Sequence, residues 1–179
     1  THIKALYNVA GILTEKSVLS SEGYESHFAI NTLAPYVLIK GLKKSLQTKD
    51  KDDELSVIVN FSTGVVNSVK NLDISSLPNP KSIGGLTGAY ANSKLALDMV
   101  TCFMKEELLK DGILIESVDP GATKTSMTKD NKAMPWIVRL VRPLLFKSPL
   151  NRANEIIGAV EKGVKDKKTG LYISEGTTK

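Results

Sequence analysis

Residues 54–64 read ELSVIVNFSTG, and the reading of this stretch decides the fold. Val57, Ile58 and Val59 are three consecutive β-branched residues, so a strand here buries both of its faces. That is the habit of a parallel sheet covered by helices on two sides; a half-exposed strand alternates apolar with polar. The run stops at Ser62, Thr63 and Gly64, two hydroxyls followed by a turn residue.

Working outward, the same grammar repeats. Upstream, HIKALYNVAG (2–11) is a short apolar run that meets a loop at Ala10-Gly11. Downstream, ILIESVD (113–119) leads into Pro120-Gly121, and GLYIS (170–174) closes the pattern. Helical periods lie between the strands. Residues 23–46 place Phe28, Ile30, Leu33, Val37, Leu38 and Leu42 near one face, with Pro35 predicting a kink or break. Residues 89–110 form the strongest helix, ended by Gly112, and a final helix spans about 151–164. Residues 66–88, rich in Ser, Asn, Pro and Gly, make a loop long enough to be functional or mobile. Strands alternating with helices predict an α/β fold with a mostly parallel sheet in one domain.

The 179 residues contain 41% hydrophobic and 24% charged residues, an ordinary globular balance. The lone cysteine, Cys102, rules out a disulfide within the chain and suits a reducing, cytoplasmic setting. The net charge of +5 is spread among acidic residues without interleaved aromatics, so nucleic-acid binding is not expected.

Two Tyr-x-x-x-Lys pairs occur, Tyr36/Lys40 and Tyr90/Lys94. The second pair lies after a strand ending in hydroxyls and before a strand entering Pro-Gly. Tyr36 and Lys40 have neither neighbour and read as helix packing and a solvated side chain. With NVAG (8–11), FAIN (28–31), IVNFSTG (58–64), YANSK (90–94) and PGATKT (120–125) in that order, the chain resembles the short-chain dehydrogenase/reductase family. The segments NLDISSL (71–77), Y-x-x-SKLA and RPLLFKSP (142–149) resemble its retinol-dehydrogenase-like members.

The resemblance implies a Rossmann-type doubly wound parallel sheet of which only the later strands, four to seven, are represented. It implies hydride transfer between NAD or NADP and a small-molecule carbonyl or alcohol. Tyr90 would be the acid–base residue, and Lys94, one turn away, would lower its pKa. Thr63 would orient the carbonyl, with Ser62 beside it, and Asn31 would hold a water in a proton relay. Asn8, Ala10, Gly11, Tyr90, Lys94, Pro120, Gly121, Thr123 and Thr125 would contact the cofactor. Val9 and Thr123 depart from the family's usual residues, and Thr63 replaces a serine. Other readings stay open: Ser62 and Thr63 as caps of the strand end, Asn31 in a local backbone bond, and 120–125 as an ordinary turn.

Met127, Met134, Trp136 and Leu140 would line an apolar substrate lid or pack on the core. Arg139 and Arg142 beside apolar residues suit contact with a membrane surface. In the family, helices matching 34–47 and 89–110 often pair subunits, so a homodimer is expected. No glycine-rich phosphate loop of the G-x-G-x-x-G kind occurs, and the chain starts where the family's fourth strand belongs. The polypeptide alone is therefore expected to bind the dinucleotide weakly. A non-catalytic regulatory or scaffold protein on the same fold is the alternative reading.

Overall fold

The computed structural model describes residues 2–48, 54–125, 137 and 146–178. Four strands, β1 (Ala5–Asn8), β2 (Ser56–Phe61), β3 (Ile113–Asp119) and β4 (Leu171–Ser174), lie side by side in chain order and run parallel. A two-residue strand, β5 (Thr177–Thr178), adds an antiparallel edge. The sequence reading did not foresee β5, because a ladder this short carries no periodicity. It folds back through Glu175 and Gly176, both at positive φ, the backbone that a tight hairpin demands.

Val57, Ile58 and Val59 are all buried, as two covered faces require. Alternation along the strands then sorts the core into two layers. Ile58, Ile113 and Ile115 meet Ile39 and Leu46 of helix α2 (Ala34–Leu46) and Met104 and Leu108 of helix α3 (Ala89–Lys110). Val57, Val59, Leu114, Val118 and Ile173 face the other way, onto Ile156 and Val160 of helix α4 (Pro149–Lys165). Each fully buried aliphatic side chain contributes roughly 1.5–3 kcal/mol relative to exposure.

The helix ends follow local chemistry. Ser148 caps α4 by accepting the Asn151 N–H at 3.3 Å, with Pro149 in the first turn. Helix α3 ends as read, with Gly112 at φ 71° carrying the chain away where a Cβ would collide with Thr48. The break expected at Pro35 takes a different form. A short helix α1 (Ser26–Phe28) widens into a π turn over Ala29–Leu33, then continues as α2 with Pro35 in its first turn. Proline has no N–H for an i→i−4 bond, and Ala34 bonds instead to Ala29 five residues back. Residues 64–87 make three short 3₁₀ turns.

One residue breaks the apolar pattern. Glu116 sits between Leu114 and Val118 on the α4 face, against Gly163, where a larger residue would strike its carboxyl. Both carboxyl oxygens are buried without a hydrogen-bond partner. Burial alone pushes this carboxyl up to about 8 from its ordinary 4.5. The folded protein keeps the proton that the unfolded chain releases, so stability falls as pH rises from about 4.5 through 8. The total effect is on the order of a few kcal/mol. In Glu116→Gln this dependence should disappear, so urea midpoints measured at pH 5.5 and pH 9 should converge, whereas those of the parent protein diverge.

Candidate active site

The parallel sheet brings Asn8, Ser62–Thr63 and Asp119–Pro120 to one edge, where successive strands end. In open α/β sheets this carboxyl edge is where ligands bind. Helix α3 starts at the same edge and presents Tyr90, Lys94 and Asp98 on successive turns of one face.

Tyr90 is buried, and the Thr63 side chain lies close enough to act on its phenol. Thr63 also receives the Val65 N–H, so its hydroxyl is held by its own turn. Ser62, next along the chain, points elsewhere: its hydroxyl donates to Asp98 Oδ2 at 2.6 Å. Of the two hydroxyls that the sequence left as candidates, the fold brings Thr63 to the tyrosine. Lys94 is also buried, and its Nζ donates to the Phe61 carbonyl at 2.6 Å. Burial pushes the ammonium down to about 8, with the Asp98 charge opposing that fall.

The lowered tyrosine pKa expected from Lys94 is not what this geometry gives. Burial raises the phenol above its ordinary value; the Thr63 hydroxyl pulls it down, and the Asp119 carboxylate pushes it up. The reason is that helical spacing sets only the direction of the ammonium. Its position against the Phe61 carbonyl, inside its own desolvated pocket, leaves burial as the larger effect on the phenol.

Asn31 is fully buried in the π turn. Its Oδ1 accepts the Ile12 N–H at 2.9 Å, and its Nδ2 donates to the Ile12 carbonyl at 3.1 Å and to Ser93 Oγ at 3.0 Å. The side chain clamps the loop after β1 to helix α3, across 19 and 62 positions of the chain, so its bonds are not local. Gly11 lies within that loop. A Cβ there would stand 3.2 Å from Lys94 Nζ and 3.3 Å from Asn31 Oδ1, so glycine lets the backbone approach both.

Asn8 is spent inside the fold, donating to Asn60 Oδ1 at 2.8 Å, while Ala10 is exposed at the edge. On the far side Gly121 adopts φ 59°, and its N–H donates to Asp119 Oδ1 at 2.8 Å. Thr123 donates to the Pro120 carbonyl at 3.1 Å, and the Thr125 N–H donates to the Thr123 carbonyl at 3.0 Å. These bonds shape 120–125 into a built loop beside the strand ends. The lid candidates Met127, Met134, Trp136 and Leu140, with Arg139 and Arg142, lie outside the described residues. Tyr36 and Lys40 stand on the outer face of α2, Lys40 facing Glu107 at 4.0 Å, as a packing residue and a solvated cation.

Several site residues escaped the sequence reading. His27, fully buried, meets the Tyr90 ring edge-on with 6.3 Å between centroids. Its Nε2 accepts the Thr14 N–H at 3.0 Å, which leaves Nδ1 to donate to Glu25 Oε1 at 2.8 Å. Glu25 in turn caps α1 through the His27 N–H. Asp98 was missed too, although it repeats the four-residue spacing of Tyr90 and Lys94. That repeat was a readable signal.

The residues present fit the nicotinamide and ribose end of a dinucleotide. Gly11 leaves a cradle that a Cβ would narrow against Lys94, and hydroxyls and backbone groups converge from Thr63, Tyr90 and 121–125. Residues 1–136 match the family model for short chain dehydrogenase. Polyprenol dehydrogenase of Danio rerio is 29% identical over 97% of this chain and 54% of its own length. Retinol dehydrogenase 11 of Mus musculus is 29% identical over 78% of this chain and 42% of its own. The chain thus spans about half the length of the curated relatives it matches. Among solved structures, an angucycline C-6 ketoreductase with bound NADP superposes with a TM-score of 0.66, at 19% identity, over 97% of this chain and 61% of that one. An NADPH-bound carbonyl reductase from chicken fatty liver gives 0.63, at 18% identity, over 99% and 65%. At such identities these structures speak for the fold, a Rossmann-type α/β sheet. The chain belongs to the short-chain dehydrogenase/reductase family, with retinol-dehydrogenase-like members among its relatives.

Proposed function

We propose that this chain carries the catalytic side of an NAD(P)-dependent oxidoreductase that interconverts a carbonyl and an alcohol. The observation that carries the reading is the buried Tyr90 phenol facing Thr63 at the carboxyl edge of the sheet, with the buried Lys94 one turn behind on the Phe61 carbonyl. A bound nicotinamide supplies or accepts the hydride. Everything else falls to side chains of this chain.

Thr63 donates a hydrogen bond to the carbonyl oxygen and fixes its direction. Tyr90 gives its proton to that oxygen as negative charge develops there, and takes it back when an alcohol is oxidised. A phenol held above its ordinary pKa is fully protonated near neutrality, which suits the donor half of that cycle. Lys94 places a positive charge near the developing anion. Asn31 keeps the Gly11 loop at its distance from Lys94. The backbones of Ala10, Gly11, Pro120 and Gly121 and the hydroxyl of Thr125 are assigned to the cofactor. Asn8 and Thr123 contribute through position, since their side chains are bonded within the protein. Retinol and polyprenol dehydrogenases among the relatives support an apolar substrate. Among the described residues no helix is long and apolar enough to cross a membrane. Cys102 is free and exposed, in keeping with a reducing cytoplasm.

A second copy of the chain is assigned to the outer faces of α2 and α3. They flank an apolar groove of about 400 Å³ lined by residues including Tyr36, Leu77, Met99 and Phe103. Phe103 is 84% exposed beside it, a side chain that an isologous dimer would bury.

Two experiments follow. Tyr90→Phe in the whole protein should lower NAD(P)H-dependent carbonyl turnover about 10²–10⁴-fold or more in steady-state assays. Thr63→Ser should keep most of the rate and Thr63→Ala should not; full activity in Tyr90→Phe contradicts the assignment. Phe103→Glu should convert a dimer to a monomer in light scattering coupled to size exclusion, with the far-UV spectrum unchanged.

A further inference from the structure

Asp98 is the one residue on the catalytic face of α3 to which neither the fold nor the proposed chemistry gives a task. It lies one turn beyond Lys94, where its carboxylate is half enclosed by the ends of β2, β3 and β4. The Ser62 hydroxyl donates to Oδ2 at 2.6 Å, while Oδ1 is buried with no hydrogen-bond partner. The Ser117 hydroxyl faces the same carboxyl from β3. Asp119, at the end of β3, adds a second negative charge, its own oxygens taking the Gly121 N–H at 2.8 Å and the Ser174 hydroxyl at 3.2 Å. Tyr172 of β4 stands over both aspartates, with its hydroxyl buried and unbonded. Lys94 is the cation whose charge acts on Asp98.

A carboxylate in such a place is costly, because burial and a neighbouring anion both disfavour its charge. A hydrophobic residue of like volume would pack α3 onto the sheet without that cost. Lys94 has the converse difficulty: burial disfavours its ammonium, and its hydrogen bond to Phe61 goes to a neutral carbonyl. Each group relieves the other. The lysine does not turn to form an ion pair with Asp98. It stays on Phe61 O, beside the Gly11 loop, where the proposed reaction needs it.

We infer that Asp98 is a positioning residue: its carboxylate, anchored by Ser62 one turn below Lys94, keeps the buried lysine charged without drawing it away from the catalytic edge. The inference rests on the proposed roles of Tyr90 and Lys94, and it gives Ser62 a place distinct from that of Thr63. Ser62 orients Asp98, and Thr63 meets the tyrosine. It also sets the sign of a pH effect. Lys94 titrates at about 8, and the negative charge of Asp98 acts upward on that value. Removing the charge must therefore move the loss of the ammonium to lower pH.

The test reads the lysine directly, in this chain labelled with ¹³C and ¹⁵N at lysine and with ¹³C at aspartate. The Lys94 resonance is identified by its disappearance in Lys94→Met. In Asp98→Asn the Lys94 midpoint should fall by roughly one pH unit, the size expected of one partly screened opposite charge. Coupling between two sites is reciprocal, so the Asp98 carboxyl, read by its ¹³Cγ shift, should titrate at higher pH in Lys94→Met than in the parent protein. In turnover, the alkaline limb of kcat/KM should move to lower pH in Asp98→Asn, which a purely structural role would not produce. An unchanged Lys94 midpoint in Asp98→Asn overturns the inference. Should that variant fail to fold, an unchanged Asp98 midpoint in Lys94→Met does the same. These midpoints are independent of turnover, so a failed Tyr90→Phe assay and a failed titration sink different claims.

Discussion

A lysine ammonium enclosed between a helix and the end of a strand is the interaction on which this site depends. Lys94 reaches out of α3 to the carbonyl of Phe61, the last residue of β2. Buried ammonium groups are expensive, and a charge-assisted bond to a backbone oxygen recovers part of the cost. Because that oxygen belongs to the sheet, the bond fixes the rotation of α3 about its axis. Tyr90, one turn earlier, then arrives at Thr63, and Asp98, one turn later, arrives at Ser62. Two hydroxyls adjacent in the chain are sent to different partners by one helix seated in one orientation.

A set of neutral polar bonds holds that seating beneath the carboxyl edge of the sheet. Asn8 bonds Asn60 across β1 and β2, Asn60 donates to Thr101 of α3 at 3.0 Å, and Ser117 of β3 joins Thr101 at 3.2 Å. The π turn adds its own ties, Asn31 to Ser93 and Thr32 Oγ1 to the Ser93 carbonyl at 2.7 Å. Buried polar groups that satisfy one another specify a unique arrangement better than apolar packing alone. The opposite face is held differently. There Leu114 and Val118 pack against α4, and Glu116 between them is left without a partner. The buried Arg152 of α4 pairs with Glu155 at 2.9 Å and Glu175 at 3.3 Å.

Much of the fold was legible because parallel strands advertise themselves. The β-branched run at 57–59 and the long period of 89–110 needed no tertiary information, and the four parallel strands lie where those runs do. The π turn was not legible: Pro35 marked a disturbance, but which hydrogen bond would yield depends on how α1 is capped by Glu25 and held by Asn31. Nor was the direction of the Tyr90 shift. Four-residue spacing puts a charge on the same side of a helix, whereas a pKa answers to burial and to where that charge is finally bonded.

Taken alone, the amino-acid sequence determined the class of sheet and the order of its elements, since periodicity is a property of neighbours along a chain, and the motifs around Tyr90 and Lys94 made that pair the candidate. The tertiary structure decided which hydroxyl faces the tyrosine, that Asn31 clamps a loop, and that Asp98 and His27 stand at the site. Those outcomes turn on contacts between residues some 13 to 62 positions apart. Only packing that sets a helix against a strand end can choose among them.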